Sequence, residues 1–258
     1  MYNSLLFNSD LNAANLDLIK VLFGQTDPTV NPKEETKKIE FLNKNINEYQ
    51  KEAIEFCIRT KEIGLIHGPP GTGKTTTIAE LIVQLVKNGQ KLLVLAPSNI
   101  AVDNIVEKLI NYKKSGLYED LEICRLGHPA RFLESSLEVC LDSKIDDSNF
   151  SKLVKSSKLE IERISKEINR TKAKDEKKKK IDELYGLRKE MKGFYKQIVN
   201  DIYLKCNVIL ATCIGAADKY LNKILAKING NLFDTVIIDE SAQATEALCW
   251  VGINSGKK

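Results

Sequence analysis

The sequence predicts an α/β fold, a doubly wound parallel sheet interrupted by a helical hairpin. Three observations carry that expectation. Short continuous apolar runs at residues 63–66 (IGLI), 92–97 (LLVLAP), 208–211 (VILA) and 236–238 (VII) have the length and β-branched content of central parallel strands, which are buried on both faces. Helical periodicity fills the stretches between the first of them, and alternation of strand and helix is the pattern of layered α/β domains. Between residues 151 and 200 the period becomes that of two long helices.

Taken in order, residues 1–45 are mixed and polar, with one apolar cluster (Leu16, Leu18, Ile19, Val21, Leu22, Phe23) ending at Gly24 and a loop through Pro28 and Pro32. They read as a helix and linker leading into the main domain. Asn47 can cap a helix running to Ile58, because Ala53, Ile54, Cys57 and Ile58 follow helical spacing. The run at 63–66 then reads as a buried strand. A glycine-rich loop follows it and feeds a helix whose Ile78, Leu81, Ile82, Leu85 and Val86 share one face, with Asn88 and Gly89 as its stop. The strand at 92–97 leads through SNIAVDN into a helix that continues to about Tyr112.

In the hairpin, Ile161, Ile164 and Ile168 form one stripe and Ile181, Leu184, Leu187, Met191, Phe194 and Ile198 another, with a lysine-rich break at 171–180. Each stripe is too narrow for a core of its own, so the expectation is an antiparallel arm projecting from the α/β domain. Gly186 and Gly193 should weaken its second helix. The segment 151–200 carries 16 Lys or Arg against 8 Asp or Glu, while the whole chain is +4. The basic character therefore belongs to the arm, and the remainder is net negative. The expected division is an N-terminal helix and linker at 1–45, a main domain built from 46–140 and 201–258, and an inserted hairpin at 141–200.

At 258 residues, 43% apolar and 29% charged, the chain can bury a full core and has the composition of a soluble globular protein. No apolar stretch approaches the roughly 20 residues of a membrane span, and the start MYNSLLFNSD lacks the sections of a signal peptide. The expected setting is cytoplasmic, nuclear or both. Six cysteines without a CxxC pair, and only two histidines, point to packed thiols rather than a metal framework.

The loop Gly68-Pro69-Pro70-Gly71-Thr72-Gly73-Lys74-Thr75 satisfies GxxxxGK[ST] between a strand and a helix. Its glycines let backbone approach phosphate oxygens, the free N–H groups of the loop and of the helix start through Thr76 supply positive potential, and Lys74 reaches the terminal phosphates. Thr75 offers a hydroxyl to Mg²⁺. A nucleotide site needs a carboxylate at the end of a buried strand, and Asp239-Glu240 after the run at 236–238 supplies one. Asp239 would hold Mg²⁺, and Glu240 would orient and deprotonate the attacking water. These two features together make this a P-loop NTPase of the RecA-like kind, with ATP and Mg²⁺ as ligands. Gln50 alone reads as a solvated helix residue, although its amide matches both the donor and the acceptor edge of adenine.

Asp239-Glu240-Ser241-Ala242-Gln243 resembles motif II of superfamily 1 helicases, where the glutamine couples the terminal phosphate to the second motor domain. The stretch APSNIAVDN at 96–104 resembles motif Ia, which grips the nucleic acid backbone, and RLGHPAR at 125–131 and VILATC at 208–213 resemble the segments that follow in the Upf-like branch, superfamily 1B. The wording HGPPGTGKTTT, APSNIAVDN, RLGHPARFLES and IDESAQATEALCW is most similar to the immunoglobulin mu-binding type of DNA/RNA helicase, over residues 15–250. The resemblance implies ATP-driven movement from 5′ to 3′ on single-stranded RNA or DNA, with Gln50 at the adenine. Ser98, Asn99, Asn104 and Thr212 would lie along the strand, touching phosphate and sugar. Ser98 and Asn99 read equally well as caps of the following helix, and the two roles are compatible. The arm's lysines could hold a phosphate backbone, although a run such as 177–180 also reads as a solvated helix connection.

The resemblance runs out at both ends. Residues 16–24 match only the tail of the barrel that precedes the family's motor, and after Trp250 nothing corresponds to the second motor domain or its arginines. The expectation is an N-terminal motor domain that binds ATP but unwinds little by itself, with a second motor domain as partner. A nucleotide-gated nucleic-acid-binding module that does not translocate is the alternative. A regulatory GTPase fits less well, because the chain has no NKxD-type guanine reader and does have Gln50.

Overall fold

A computed structural model describes residues 13–32, 39–148, 150–171, 173–227 and 232–256, with residues 13–16 described in backbone alone. Four parallel strands, β1 (Leu92–Ala96), β2 (Ile123–Arg125), β3 (Val208–Thr212) and β4 (Thr235–Ile238), form one sheet in the order β2-β3-β1-β4. The register sets Ala96 opposite Thr212, Arg125 opposite Leu210 and Leu95 opposite Ile238. The C-terminal ends of all four strands therefore share one edge, where open α/β sheets carry their ligands.

The helices are α1 (Ala13–Leu22), α2 (Glu48–Arg59), α3 (Lys74–Lys87), α4 (Asn99–Lys114), α5 (Glu134–Leu137), α6 (Leu141–Asp146), α7 (Ser151–Arg170), α8 (Lys174–Lys205), α9 (Lys219–Lys227) and α10 (Glu246–Ile253). Strand side chains alternate between two cores, as a period of two requires. Leu92, Val94, Ala96, Ile123, Val208 and Leu210 meet Ile54, Ile82, Ile105 and Leu109 of α2, α3 and α4 on one face. On the other, Leu93, Leu95, Cys124, Ile209 and Ala211 meet Val154, Ile198, Val199, Tyr203 and Leu221 from α7, α8 and α9. Truncating a fully buried leucine here, such as Leu93 or Leu95, would cost about 2–5 kcal/mol.

Three expectations need correction. Residues 63–66 form no strand: Leu65 is 81% exposed, and the sheet ends at β4. A continuous apolar run reads as a central strand only when it has a neighbour on each side. This one leans instead on α2, where a Cβ on Gly64 would sit 3.0 Å from the Cys57 sulfur. The lysines at 177–180 lie inside α8, which starts at Lys174. Lysine is a good helix former, Asp175 and Glu176 favour the positive N-terminus, and Lys180 pairs with Glu167 of α7 at 3.2 Å and with Glu176 at 3.4 Å. Finally, the hairpin is not free along its whole length. Val154, Ile198, Val199 and Tyr203 sink its base into the second core, while Ile181 and Phe194 of the expected stripe remain 47% and 40% exposed. β2 was not expected at all, for reasons that involve Arg125. Five of the six cysteines are buried and none is in a disulfide. Among the described residues no helix is long and apolar enough to cross a membrane.

Candidate nucleotide site and strand-end cluster

Residues 68–75 turn from the segment packed on α2 into the start of α3. Gly71 and Gly73 both adopt φ +82°, a conformation that side chains resist. At Gly73 space adds a second restriction, because a Cβ would meet the Gln50 amide nitrogen at 2.6 Å. Gly73 is also the N-cap of α3 and offers no side-chain acceptor. The first-turn N–H groups of Lys74, Thr75 and Thr76 are thus left for a ligand, with the helix dipole behind them. Lys74 arches back over the loop, its Nζ donating to the Gly68 carbonyl at 2.9 Å, while the Thr72 hydroxyl donates to the Pro69 carbonyl at 2.8 Å. An ammonium held over uncapped amides, on nothing stronger than a neutral carbonyl, suits a polyphosphate, which would offer it charged oxygens instead.

Gln50 touches this loop directly. Its Nε2 donates to the Thr72 carbonyl at 3.0 Å. Its Oε1 accepts from the Asn47 N–H at 3.0 Å, and the Asn47 side chain accepts from the Gln50 N–H at 2.9 Å, a reciprocal capping box at the start of α2. Both ends of the amide are engaged within the chain, so pairing with adenine requires it to exchange at least one of these bonds.

The carboxylates arrive from β4. The Asp239 N–H donates to the Leu95 carbonyl at 2.8 Å, continuing the ladder by one residue and fixing Asp239 at the sheet edge. Burial pushes its pKa up, its bond from the Glu240 N–H opposes this, the Glu240 charge reinforces it, and Lys74 opposes it. Lys74 and Asp239 therefore lie within electrostatic reach of each other, as a nucleotide cleft requires. Glu240 is the one described non-glycine residue with positive φ, at φ 50° and ψ 38°, a left-handed conformation costing about 1–2 kcal/mol. Such strain gathers where the surroundings fix a functional side chain. Here the Gln243 amide donates to the Glu240 carboxylate at 3.1 Å and the Gln243 N–H to the Glu240 carbonyl at 2.9 Å. A magnesium ion at Thr75 and Asp239 would take its remaining ligands from phosphate and water, as this ion usually does.

The four strand-contact candidates divide. Ser98 caps α4, its hydroxyl accepting from the Ala101 N–H at 3.2 Å, and Asn99 is the first residue of the helix. Thr212 ends the neighbouring β3, and its Oγ1 accepts from the Gly215 N–H at 3.0 Å. These three sit together at the shared edge, while Asn104 lies farther along α4, exposed.

Two groups had not been singled out. Arg125, at the end of β2, is fully buried, and its Nε donates to Asp103 at 3.0 Å, one Nη to Asn99 Oδ1 at 2.9 Å and the other to the Leu126 carbonyl. Burial lowers its pKa and the Asp103 carboxylate opposes that shift. The segment RLGHPARFL folds back over this guanidinium. Gly127 turns at φ +135° where a Cβ would press on the Phe132 ring at 3.1 Å, His128 caps a 3₁₀ turn at Pro129–Arg131, Phe132 lies 4.4 Å beneath the guanidinium, and the Leu133 N–H closes on Asp103 at 2.9 Å. The second group is Glu80 in α3, fully buried, which accepts from the Leu42 and Asn43 N–H groups, the Gln84 amide and the Tyr112 hydroxyl. It ties the helix of the phosphate loop to α4 and to the chain entering α2. Glu80 and Gln84 lie on the face of α3 opposite its Ile78, Leu81, Ile82 and Leu85 stripe, a face that helical spacing reads as solvated and that is buried here.

Comparison with known proteins adds a family to this geometry. The AAA domain family matches residues 45–258. DNA-binding protein SMUBP-2 of Mesocricetus auratus is 41% identical over 241 residues, which is 93% of this chain and 23% of that protein. DNA polymerase alpha-associated DNA helicase A of Schizosaccharomyces pombe is 38% identical over 83% of this chain and 30% of its own length. The regulator of nonsense transcripts 1 homolog of Arabidopsis thaliana is 33% identical over 83% of this chain and 15% of its own. The chain thus spans less than a third of each of these relatives. With its phosphate loop, its strand-end carboxylates and its parallel sheet, the chain belongs to the AAA domain family, and it is similar to helicases of the Upf-like branch of superfamily 1B.

Proposed function

We propose that this chain is the ATP-binding half of an ATP-dependent helicase that moves 5′ to 3′ along single-stranded RNA or DNA, with a second motor domain as its partner. One observation carries the reading: Asp239 follows β4, Ser98 and Asn99 follow β1 and Thr212 ends β3, so candidates of both kinds lie along one edge of a single sheet, with the Lys74 charge acting on Asp239. Events at the nucleotide are thereby linked to the nucleic acid through three adjacent strand ends. Residues 46–140 and 201–258 form the motor in this reading, 141–200 its inserted hairpin, and 1–45 the approach to it.

The chain's own residues divide the work. Lys74 and the N–H groups of residues 71–76 neutralise phosphate charge, and the glycines at 68, 71 and 73, with Pro69 and Pro70, shape the loop that brings them close. Thr75 and Asp239 would hold a magnesium ion, and bound ATP would supply the phosphoanhydride bond whose hydrolysis drives movement. Glu240 positions the water and accepts its proton. Gln243, bonded to Glu240, shifts when that carboxylate changes partner and so passes the state of the site toward the second domain. Gln50 leaves the Thr72 carbonyl to pair with adenine, so nucleotide entry and loop position are coupled. Ser98, Asn99, Asn104 and Thr212 hold the backbone of the strand, which makes binding insensitive to sequence and sensitive to salt.

Fluorescence anisotropy with labelled single-stranded oligonucleotides tests this. Affinity is expected to be similar for oligonucleotides of unrelated sequence, to fall with salt, and to change when Mg-ATP is added to the wild type but not to Lys74→Ala. Strand binding that ignores nucleotide in the wild type would contradict the proposed coupling.

A further inference from the structure

The buried Arg125 does something for Asn99 that capping does not explain. A guanidinium has only donors, so the atom of Asn99 that faces it must be the carbonyl oxygen. The bond from Arg125 Nη to Asn99 Oδ1, 2.9 Å long, therefore sets which way round the amide sits. The NH₂ group points away from the guanidinium and has no hydrogen-bond partner among the described residues.

The arrangement is rigid on every side. Asp103 takes Arg125 Nε at 3.0 Å with both side chains essentially inaccessible to solvent, Leu126 takes one Nη, and Phe132 lies 4.4 Å below the plane. The second Asp103 oxygen is occupied by the Leu133 N–H at 2.9 Å. Asn99 opens α4 beside Ser98, immediately after β1, and β1 pairs with β3 at Ala96 and Thr212. The amide that Arg125 orients is thus one of the groups at the shared edge, and the half-buried Asn99 is the point where the buried network reaches the surface.

We propose that Arg125 is a positioning residue for nucleic acid: by holding Asn99 Oδ1 it turns the Asn99 NH₂ outward as a fixed donor to a phosphate or sugar oxygen of a single strand. This inference rests on the reading of the strand-end residues given above. Preorganisation of this kind matters because an amide free to flip would present its oxygen to phosphate half of the time, and the repulsion would cancel much of the gain. Arg125 itself touches no strand in this account. Its effect passes entirely through Asn99, which makes the claim a statement about coupling.

The test is a set of variants (Asn99→Asp, Asn99→Ala, Arg125→Lys, and Asn99→Ala with Arg125→Lys), each measured for anisotropy of labelled oligothymidylate, for Mg-ATP affinity by calorimetry, and for melting temperature. Asn99→Asp removes the donor, keeps an acceptor for Arg125 and adds a negative charge at the N-terminus of α4, so its melting temperature should not fall. Its strand affinity should drop about ten- to a hundredfold, the range for losing a hydrogen bond to a charged group. Arg125→Lys cannot hold Asp103, Leu126 and Asn99 together, and its strand affinity should drop in the wild-type background but no further in the Asn99→Ala background. Wild-type strand affinity in Asn99→Asp, or losses that multiply in the double variant, would overturn the inference. Should Arg125→Lys melt early, strand affinities measured below its melting temperature still decide, because the coupling between the Arg125 and Asn99 substitutions is read there. Failure of the wild type itself to bind oligothymidylate at low salt would instead remove the functional reading on which this rests.

Discussion

Arg125, Asp103, Glu80 and Tyr112 illustrate what a single residue does to a buried interior. Each is polar or charged and nearly inaccessible, and each is tolerated because its partners are in place. The Arg125 and Asp103 pair is a hydrogen-bonded unit in which losing one member strands the other at about 3–5 kcal/mol. Glu80 is different, since its four donors are neutral backbone, amide and phenol groups. Removing the Tyr112 hydroxyl, 2.7 Å from Glu80, by Tyr112→Phe should cost about 1.5–3 kcal/mol, read as a lower urea midpoint with an unchanged slope. A midpoint equal to that of the wild type would show that water replaces the phenol. The same residues mark where sequence reading failed. Lys74, Thr75, Asp239 and Glu240 could be proposed from sequence alone because a phosphate loop and a strand-end acid are local patterns. Arg125 was not read as buried, because its partners Asp103 and Asn99 lie 22 and 26 positions away. The strand that carries it, only three residues long, went unseen with it.

At the scale of elements, helices with a stop and a start in the sequence fell where expected. Asn47 caps α2 through a box with Gln50, and α3 ends at Asn88 before Gly89, which adopts φ 78°. Residues 63–66 failed as a strand because continuity of apolar residues says nothing about whether a neighbouring strand is there to pair. The hairpin formed its two long helices as expected, and only the position of the break between them was misread. Its lysine run looks like a break by composition, yet α8 runs through it and through Gly186 and Gly193 to Lys205. Neither glycine is required by space, since a Cβ on either would meet nothing within 4 Å. Gly186→Ala and Gly193→Ala should therefore each stabilise the protein by about 0.5–1 kcal/mol, visible as a raised melting temperature. A lowered melting temperature would mean that the helix is not continuous there in solution.

Across the whole molecule, the sheet acts as a common baseplate. One core fastens it to α2, α3 and α4 and the other to α7, α8 and α9, and its C-terminal edge holds both the nucleotide candidates and the strand-end cluster. The doubly wound arrangement was legible because strands buried on both faces leave continuous apolar runs. The two polar networks that join its layers were not, because they are made by tertiary contact. If residues 68–76 with Asp239 form a site for Mg-ATP, calorimetric titration of Mg-ATP into the wild type and Lys74→Ala will show it. The wild type is expected to bind one equivalent, and Lys74→Ala to lose that binding while melting at the same temperature. No binding by the folded wild type, or equal binding by Lys74→Ala, would contradict the account.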